Sequence, residues 1–233
     1  KPRRRRPVTL QGRKSLSPLW TTCPRKTLPG AMPGPSRADV RLFFGKSGSG
    51  KSSLALHQLA RAPRVLIHDP NCEPAHAKRA LVIEDRAQLI RAVEIPGRVR
   101  ICWRGVVTMG DAAFEWANRC AWAGEGFAVF WDEVDRFVKA GRMLPPYAYK
   151  LVNAGRHRRC SIFAASRRPC TVGRDLTAAA TRIMAFRITG PTDIEYLADF
   201  MGKEVAAGLP GLADFTALDW TEAGATEKKS PFA

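Results

Sequence analysis

The stretch that most constrains this chain is GKSGSGKS, residues 45–52, which directly follows the apolar run VRLFF. Its outer glycines and its Lys-Ser ending match the complete pattern G-x-x-x-x-G-K-[ST]. The glycines of such a loop let backbone N–H groups turn inward around phosphate oxygens, and a helix that begins at Lys51 adds the positive end of its dipole. A plain strand-to-helix turn would need neither the lysine nor the serine. The sequence therefore predicts a site for the phosphates of a nucleoside triphosphate.

The residue types of this loop also predict individual roles. Lys51 supplies an ammonium group for the β- and γ-phosphates, and the Ser52 hydroxyl is a ligand for Mg²⁺. We therefore expect ATP and Mg²⁺ as the bound species. The residues predicted to bind the nucleotide are Gly45, Lys46, Ser47, Gly48, Ser49, Gly50, Lys51, Ser52 and Ser53.

Short apolar runs alternate with helical stretches from Val40 onward, which is typical of βαβ units and a mostly parallel sheet. We predict strands at 40–44, 64–68, 99–103, 127–131, 160–165 and 182–188. We predict helices at 51–62, 86–93, 111–123, 146–154, 172–181 and 192–200. Because most of these strands are apolar on both faces, helices should cover both sides of the sheet. The predicted fold class is α/β, a mostly parallel sheet sandwiched between helices.

The chain of 233 residues, 45% hydrophobic, suits one buried core. We expect a basic, Pro/Arg-rich leader over 1–36, a P-loop domain over 37–205, and an extension over 206–233 that ends in the polar tail TEAGATEKKSPFA. The first methionine is Met32, close to the first predicted strand. We expect residues 1–31, which are rich in Pro, Arg and Lys, to be a disordered leader that lies upstream of the natural start; a basic arm on DNA is the alternative.

The charge of the chain indicates its class of partner. The net charge is +17, and the first 31 residues hold nine Lys or Arg and no Asp or Glu. Without them the chain still has 29 basic and 21 acidic residues, a charge of +8. An excess of this size favours a polyanion such as nucleic acid as a partner.

The run FAVFWDEVDRF carries the second candidate motif, because Asp132 and Glu133 directly follow an apolar strand. An acid at the end of a neighbouring strand can orient Mg²⁺, so Asp132 is predicted to serve the metal. The next carboxylate, Glu133, is predicted to polarise an attacking water. Asp135 is a weaker candidate, since its position suits a helix start. Two solvated acids at a strand end are the plain alternative.

The segment NAGRHRRCSIFAASRRPCTVGRD carries arginines on both sides of a predicted strand. That strand should end beside the phosphates, where Ser166 and Arg167 can sense the γ-phosphate. An arginine from a neighbouring subunit would instead make hydrolysis depend on assembly. A solvated basic face and contacts to DNA phosphates remain open. The candidates are Arg156, Arg158, Arg159, Arg167, Arg168 and Arg174.

The cysteines, the histidines and the apolar runs indicate no further site and no membrane span. The six cysteines form no Cys-x-x-Cys pair, which favours reduced, buried thiols in a cytosolic protein. The four histidines lack metal-ligand spacing, and His68, in LIHDPN, is predicted to be packed. No apolar run approaches the roughly 20 residues that span a bilayer. We therefore expect a cytoplasmic protein without a membrane span.

In this order, GKSGSGKSS, VLIHDPN, VFWDEVDRF and GRHRRCSIFAASRRP resemble the FtsK–HerA superfamily of P-loop ATPases, over residues 40–200. The chain looks most like the genome-packaging ATPases of membrane-containing, tectivirus-like phages, with the zonula-occludens-toxin-like assembly ATPases as relatives. The resemblance implies a RecA-like fold and a homo-oligomeric, usually hexameric, ring that moves double-stranded DNA. A capsid portal or vertex protein would be a further partner.

By the same resemblance, Lys51 and Ser52 match the Walker A positions, and Asp132 and Glu133 match the Walker B positions. The polar sensor that follows the next strand is often Gln in that superfamily and is Arg167 here, which leaves the sensor role in cis open. For the arginine that acts in trans, Arg156 and Arg159 are the leading candidates.

Two other functions remain open at this point. A small-molecule or nucleotide kinase would share the phosphate loop but would gain nothing from a water-activating glutamate. A binding module in which nucleotide only switches a DNA-binding surface would need no turnover. The paired acids favour hydrolysis over phosphoryl transfer, and the binding module remains open.

Overall fold

The computed structural model describes residues 38–229, and in it the apolar runs form a single sheet. The strands of this part of the chain are β1 (Val40–Phe44), β2 (Arg64–His68), β3 (Leu81–Ile83), β4 (Val99–Trp103), β5 (Ala128–Trp131), β6 (Ser161–Ser166), β7 (Arg182–Phe186), β8 (Thr216–Thr221) and β9 (Gly224–Lys229). Six of them lie within two residues of the predicted bounds.

The helices fill the connections between these strands. They are α1 (Lys51–Leu59), α2 (Pro74–Ala77), α3 (Arg86–Val93), α4 (Val106–Met109), α5 (Ala112–Gly124), α6 (Pro146–Ala154), α7 (Arg174–Ala178), α8 (Pro191–Met201) and α9 (Lys203–Ala207). Short 3₁₀ turns follow β5 at Val134–Arg136 and α6 at Gly155–Arg158. The six predicted helices are present; α2, α4 and α9 are too short to show a helical period in the sequence.

The strand order across the sheet is β3-β4-β2-β5-β6-β1-β7-β8-β9. The first seven strands pair in parallel, whereas β8 pairs antiparallel with both β7 and β9. The predicted α/β class with a mostly parallel sheet is therefore confirmed. In this order β6 separates β1, which leads into the phosphate loop, from β5, which leads into Asp132.

Both faces of the central strands are buried. On one face α1 packs with Leu54 and Leu59 against a cluster that includes Phe43 of β1 and Phe130 of β5. On the other face Phe114 of α5 contacts Trp131, with ring centroids 5.2 Å apart. Apolar strands without alternation are thus the result of two helical layers.

The C-terminal part of the sheet differs from the prediction. Residues assigned to a polar tail, from Thr221 to Lys229, form the turn and second strand of a hairpin that pairs with β7 through β8. Strand β9 is exposed and reads GATEKK, so it lacks the apolar pattern that identifies a strand. Residues 230–233 and the predicted leader lie outside the described residues, and the predicted domain boundaries stay predictions.

The structure also bears on the predictions about membrane spans and cysteines. No helix within residues 38–229 combines the length and the apolar character needed to cross a membrane. Cys102, Cys120 and Cys160 are buried free thiols, as predicted. Cys72 is exposed and Cys170 is partly exposed, so the expectation of burial was wrong for these two.

Candidate active site

The phosphate loop leaves β1 at Gly45 and enters α1 at Lys51. Gly48 and Gly50 have φ values of 76° and 96°, in the left-handed region that glycine adopts without a steric cost. A Cβ on Gly45 would lie 2.8 Å from Cβ of Phe186 and 2.7 Å from Oγ of Ser49, so this position has no room for a side chain. The first N–H groups of α1 have no carbonyl partner within the helix and face the loop. The predicted loop residues thus form one cradle.

Lys51 lies at the bottom of this cradle and is only 5% exposed. Its Nζ donates to the carbonyl oxygen of Lys46, 3.4 Å away, across the loop. Burial lowers the pKa of the Lys51 ammonium, while the nearby carboxylates of Glu133 and Asp132 act in the opposite direction. A buried ammonium with few partners is well suited to an anionic ligand.

Asp132 follows β5 and meets the first turn of α1. The Ser52 hydroxyl donates to Oδ1 of Asp132 at 3.1 Å, which brings together the two predicted metal ligands. Burial raises the pKa of Asp132, and the adjacent Glu133 adds to this; His76, Ser52 and Lys51 offset part of the rise. The Asp132 carboxylate is buried, and its neighbours offset only part of the cost of burying its charge. The Ser52 hydroxyl and the Asp132 carboxylate are hard oxygen donors of the kind that Mg²⁺ prefers. When bound, this ion would neutralise phosphate charge next to Ser52 and Asp132.

Glu133 has φ 48° and ψ 50°, the left-handed conformation that a non-glycine residue adopts at a cost. This turn directs its side chain toward β6, where Oε1 of Glu133 accepts a hydrogen bond from Nε of Arg167 at 3.0 Å. Arg167 is about half-exposed, whereas Glu133 is largely covered. The predicted water-activating acid and the predicted sensor are therefore in direct contact.

The strand β6 itself contributes a structural contact at this end. The N–H of Gly45 donates to the carbonyl oxygen of Ser166 at 3.3 Å, which ties the loop to β6. The Ser166 hydroxyl is used locally, since it exchanges hydrogen bonds with the backbone of Arg168. Of the two predicted sensor positions, Arg167 is the one whose side chain contacts the predicted water-activating acid, Glu133.

The site also contains a buried histidine, His76, which the sequence did not identify. His76 of α2 is 1% exposed; its Nδ1 lies 3.0 Å from Oδ1 of Asp69, and its Nε2 lies 3.6 Å from Oδ2 of Asp132. Burial alone would raise the pKa of Asp69, but hydrogen bonds from His76, from the N–H of Glu73 and from Arg104 bring it to about 2. The motif HDPN contained Asp69, yet its link to Asp132 depends on the position of α2.

His68, next in sequence to Asp69, has a different environment. Its ring lies edge-on to Phe114 and Phe137, with centroids 5.2 Å and 4.8 Å away. Neither ring nitrogen makes a hydrogen bond within the described chain, and burial lowers the pKa of His68 to about 3. It is a neutral packed residue, as predicted.

The side chains of the loop and of the two strand ends line one cavity of about 350 Å³, here called the phosphate cavity. Lys51 and Ser52 lie on its α1 side, and Asp132, Glu133 and Arg167 lie on its strand side. The loop residues Ser47, Gly48, Gly50 and Ser53 also face this space.

No protein-family model matches the sequence, and no curated protein matches it. Solved structures match by fold. The genome packaging NTPase B204 from Sulfolobus turreted icosahedral virus 2, in complex with sulfate, matches with a TM-score of 0.70 at 17% identity, over 84% of this chain and 98% of that chain. Its complex with AMPPCP matches with a TM-score of 0.68 at 17% identity, over 82% of this chain and 96% of that chain.

VirB4 of Thermoanaerobacter pseudethanolicus matches with a TM-score of 0.61 at 13% identity, over 93% of this chain and 94% of that chain. The chain has a P-loop ATPase fold. This confirms the resemblance at the level of the fold. The N-terminal domain of zonular occludens toxin from Neisseria meningitidis has a TM-score of 0.46, which is too low to carry an argument.

Within this P-loop ATPase fold, Arg156 and Arg159 lie away from the phosphate cavity. Both precede the first residue of β6, whereas the cavity lies at the end of this strand, about 17 Å away at about 3.3 Å per residue. Arg159 is 3.5 Å from Glu125, and Nε of Arg156 is 3.3 Å from Nε2 of His157. Within one chain the fold does not bring these two arginines to the phosphate cavity.

Proposed function

We propose that this chain is a subunit of an oligomeric, ATP-hydrolysing motor that translocates double-stranded DNA, with packaging of a viral genome into a capsid as its role. One observation carries the hydrolytic part: the Glu133 carboxylate, the predicted water-activating acid, lines the same cavity as the Lys51 ammonium. The fold of the B204 genome packaging NTPase supports the same class of activity. We propose a hexameric ring in the host cytoplasm, docked on a capsid portal or vertex protein.

The proposed reaction follows from the side chains of the cavity. The loop N–H groups and Lys51 bind the β- and γ-phosphates. Ser52 and Asp132 would hold Mg²⁺, which would supply positive charge at the phosphates when bound. Glu133 accepts a proton from a water molecule as the water oxygen attacks the γ-phosphorus. The bond from that phosphorus to the β,γ-bridging oxygen breaks, and ADP and inorganic phosphate are formed.

Arg167 is proposed as the sensor of this reaction. Its guanidinium contacts Glu133 at 3.0 Å and lines the phosphate cavity. It can therefore respond to the γ-phosphate and to the acid that activates water. The left-handed backbone at Glu133 supports this assignment, since strained conformations cluster at functional sites.

Hydrolysis is tested by the release of phosphate from ATP and Mg²⁺, with and without double-stranded DNA. We expect Lys51→Ala to lose ATP binding, and Glu133→Gln to bind ATP with a turnover lower by about 100-fold or more. Glu227→Gln, on the exposed strand β9, is the matched control. Unchanged turnover in Glu133→Gln would contradict the mechanism, and phosphate found on a small acceptor would favour the kinase.

A basic groove supports DNA as the partner. This groove, of about 790 Å³, begins beside Ser53 of α1 and is lined by Lys78, Arg79 and Arg98. All three side chains are exposed, and none forms an ion pair with an acid among residues 38–229. Basic side chains without acidic partners are available for phosphates of the DNA backbone.

We expect the triple substitution Lys78→Glu, Arg79→Glu and Arg98→Glu to weaken DNA binding and to reduce its salt dependence, because fewer phosphate contacts release fewer counterions. DNA affinity at several salt concentrations is the measurement. The control for the change of net charge is a second triple variant, Arg91→Glu, Arg142→Glu and Lys203→Glu, at exposed positions that do not line the groove. An unaltered salt dependence in the triple variant would exclude the groove as the DNA contact.

A further inference from the structure

A second cavity adjoins the phosphate loop on the side away from Asp132 and Glu133. It has a volume of about 260 Å³ and lies beside β7, between the loop residues Ser47 and Gly48 and the turn at 213–215. Because β7 lies on the opposite side of β1 from β6 and β5, this space is separate from the acids that serve the γ-phosphate. It is smaller than the roughly 300–1,000 Å³ of a pocket for a whole ligand, and therefore suits one part of a ligand.

One aromatic side chain, Phe215, lines both this cavity and the phosphate cavity. Its side chain is exposed, at 41% relative accessibility. Its φ is 57°, in the left-handed region that is an outlier for a bulky residue. An exposed aromatic ring held by an unfavourable backbone next to a phosphate loop is evidence for a binding role.

The position of Phe215 is fixed by the hairpin that extends the sheet. Strand β8 begins directly after it, and Ala217 pairs with Phe186 at the end of β7. The N–H of Thr216 donates to the carbonyl oxygen of Ala213 at 3.2 Å, which closes the turn. Next to the ring, Arg187 and Asp214 pair at 2.6 Å on the rim of the cavity. The ring therefore stands at a defined place beside the loop.

We propose that Phe215 stacks on the nucleobase of the bound nucleoside triphosphate, and that the cavity beside β7 is the nucleobase subsite. The inference rests on the proposed function, since it takes the phosphates to lie on the loop. With the phosphates on the loop, the ribose and nucleobase must extend toward one side of it. The side of β5 and β6 carries Asp132, Glu133 and Arg167, whereas the side of β7 offers an aromatic face and a cavity.

The test measures the binding of AMPPCP and of inorganic tripolyphosphate by calorimetry to the full chain. Phe215→Gly removes the ring, and glycine accepts φ 57° without strain, so the variant should fold. Stacking of one base contributes enough that we expect AMPPCP to bind about tenfold more weakly, with tripolyphosphate unchanged. Phe215→Trp keeps an aromatic face and should bind AMPPCP within about twofold of the original chain.

Tyr149→Ala is the matched control, because Tyr149 is an exposed aromatic residue on α6 that lines neither cavity. It should leave both affinities unchanged. Equal losses for AMPPCP and tripolyphosphate in Phe215→Gly would overturn the proposal, since the effect would then come from the loop. So would an unchanged AMPPCP affinity. A chain that binds AMPPCP through Phe215 but releases no phosphate from ATP would overturn the proposed hydrolysis and leave the subsite standing.

Discussion

The two edges of the parallel sheet carry similar charged residues but hold them in different ways. At the carboxyl edge, Lys51 and Asp132 are nearly buried and belong to a connected set of contacts. At the amino edge, Arg156 and Arg159 are exposed, and Arg159 has an acidic partner only at 3.5 Å. A buried charge needs an oppositely charged or hydrogen-bonding partner close to it, because burial removes its water. An exposed arginine can exchange one acidic partner for another at little cost in free energy. This difference agrees with the proposal that the carboxyl edge carries the local chemistry and that the arginines of the amino edge act in a neighbouring subunit.

The strongest test of this difference between the two edges is a mixing experiment. We expect the double variant Arg156→Ala, Arg159→Ala to lose about 1,000-fold in turnover, because an arginine supplied in trans stabilises the transition-state charge. Lys51→Ala subunits are inactive but carry intact arginines. Mixed at equal amounts, the two variants should recover about a quarter of the full activity, since sites between neighbours then combine an intact loop with intact arginines.

Arg142→Ala, an exposed arginine that neither edge uses in this assignment, is the control for the mixing experiment. Its activity should stay at the original level, alone and in mixtures. No recovery in the mixture would assign the arginines to a role within one subunit or to a solvated surface. Recovery that falls on dilution would agree with assembly.

A smaller effect is expected from His76, which links the site to Asp69. His76→Ala removes the group that lies 3.6 Å from Asp132 and should raise the Mg²⁺ concentration for half-maximal ATPase activity about tenfold, as is typical when a partner of a metal ligand is lost. His76→Gln, which keeps a polar group, should recover part of the loss. The measurement is a Mg²⁺ titration of the rate at saturating ATP.

His157→Ala provides the comparison at the amino edge, because His157 is an exposed histidine outside the phosphate cavity. It should leave the Mg²⁺ requirement unchanged. If His76→Ala lowers the free energy of unfolding but does not alter the Mg²⁺ requirement, His76 has only a structural role.

The smallest effect concerns His68, the buried histidine without charged contacts to the ligand site. Its pKa is about 3 in the folded chain, so the unfolded chain binds a proton near pH 6.5 that the folded chain does not. Stability should therefore fall as the pH decreases, by about 1 kcal/mol between pH 7.5 and 6.0. Urea unfolding at the two pH values measures it.

His68→Leu should remove this contribution, because leucine has no proton to gain. The difference between the two pH values should then be smaller by about 1 kcal/mol than in the original chain. An equal pH dependence in both proteins would contradict the prediction, because it would show that the pKa of His68 is the same in the folded and unfolded chains.

Much of the carboxyl edge was predictable because its signals are local. Lys51 and Ser52 belong to one loop motif, and Asp132 and Glu133 follow one apolar run. In a parallel sheet, residues that follow different strands meet at the same edge, so the pattern of strands also predicts their proximity. The catalytic and binding roles of these residues stay predictions until they are tested.

The contacts that were missed depend on elements with weak sequence signals. The four-residue α2 brings His76 between Asp69 and Asp132, and nothing in the spacing of these residues shows it. The polar sequence of β9 predicts a tail instead of a strand. The hairpin of β8 and β9, which positions Phe215, was therefore not predicted. Short helices and exposed edge strands gain their stability from tertiary contacts rather than from their own residue pattern.

Local residue patterns were sufficient to predict the α/β class, the phosphate loop and the acids after β5. Each of these predictions depends on residues that are close together in the sequence. The folded arrangement was needed to show that Arg167 contacts Glu133, that His76 reaches Asp132, and that Phe215 lies beside the loop. These contacts join residues that are distant in sequence or that belong to short elements, and packing of the whole sheet sets them. The physical reason is that side-chain distances across a sheet follow from strand order, which no local pattern encodes.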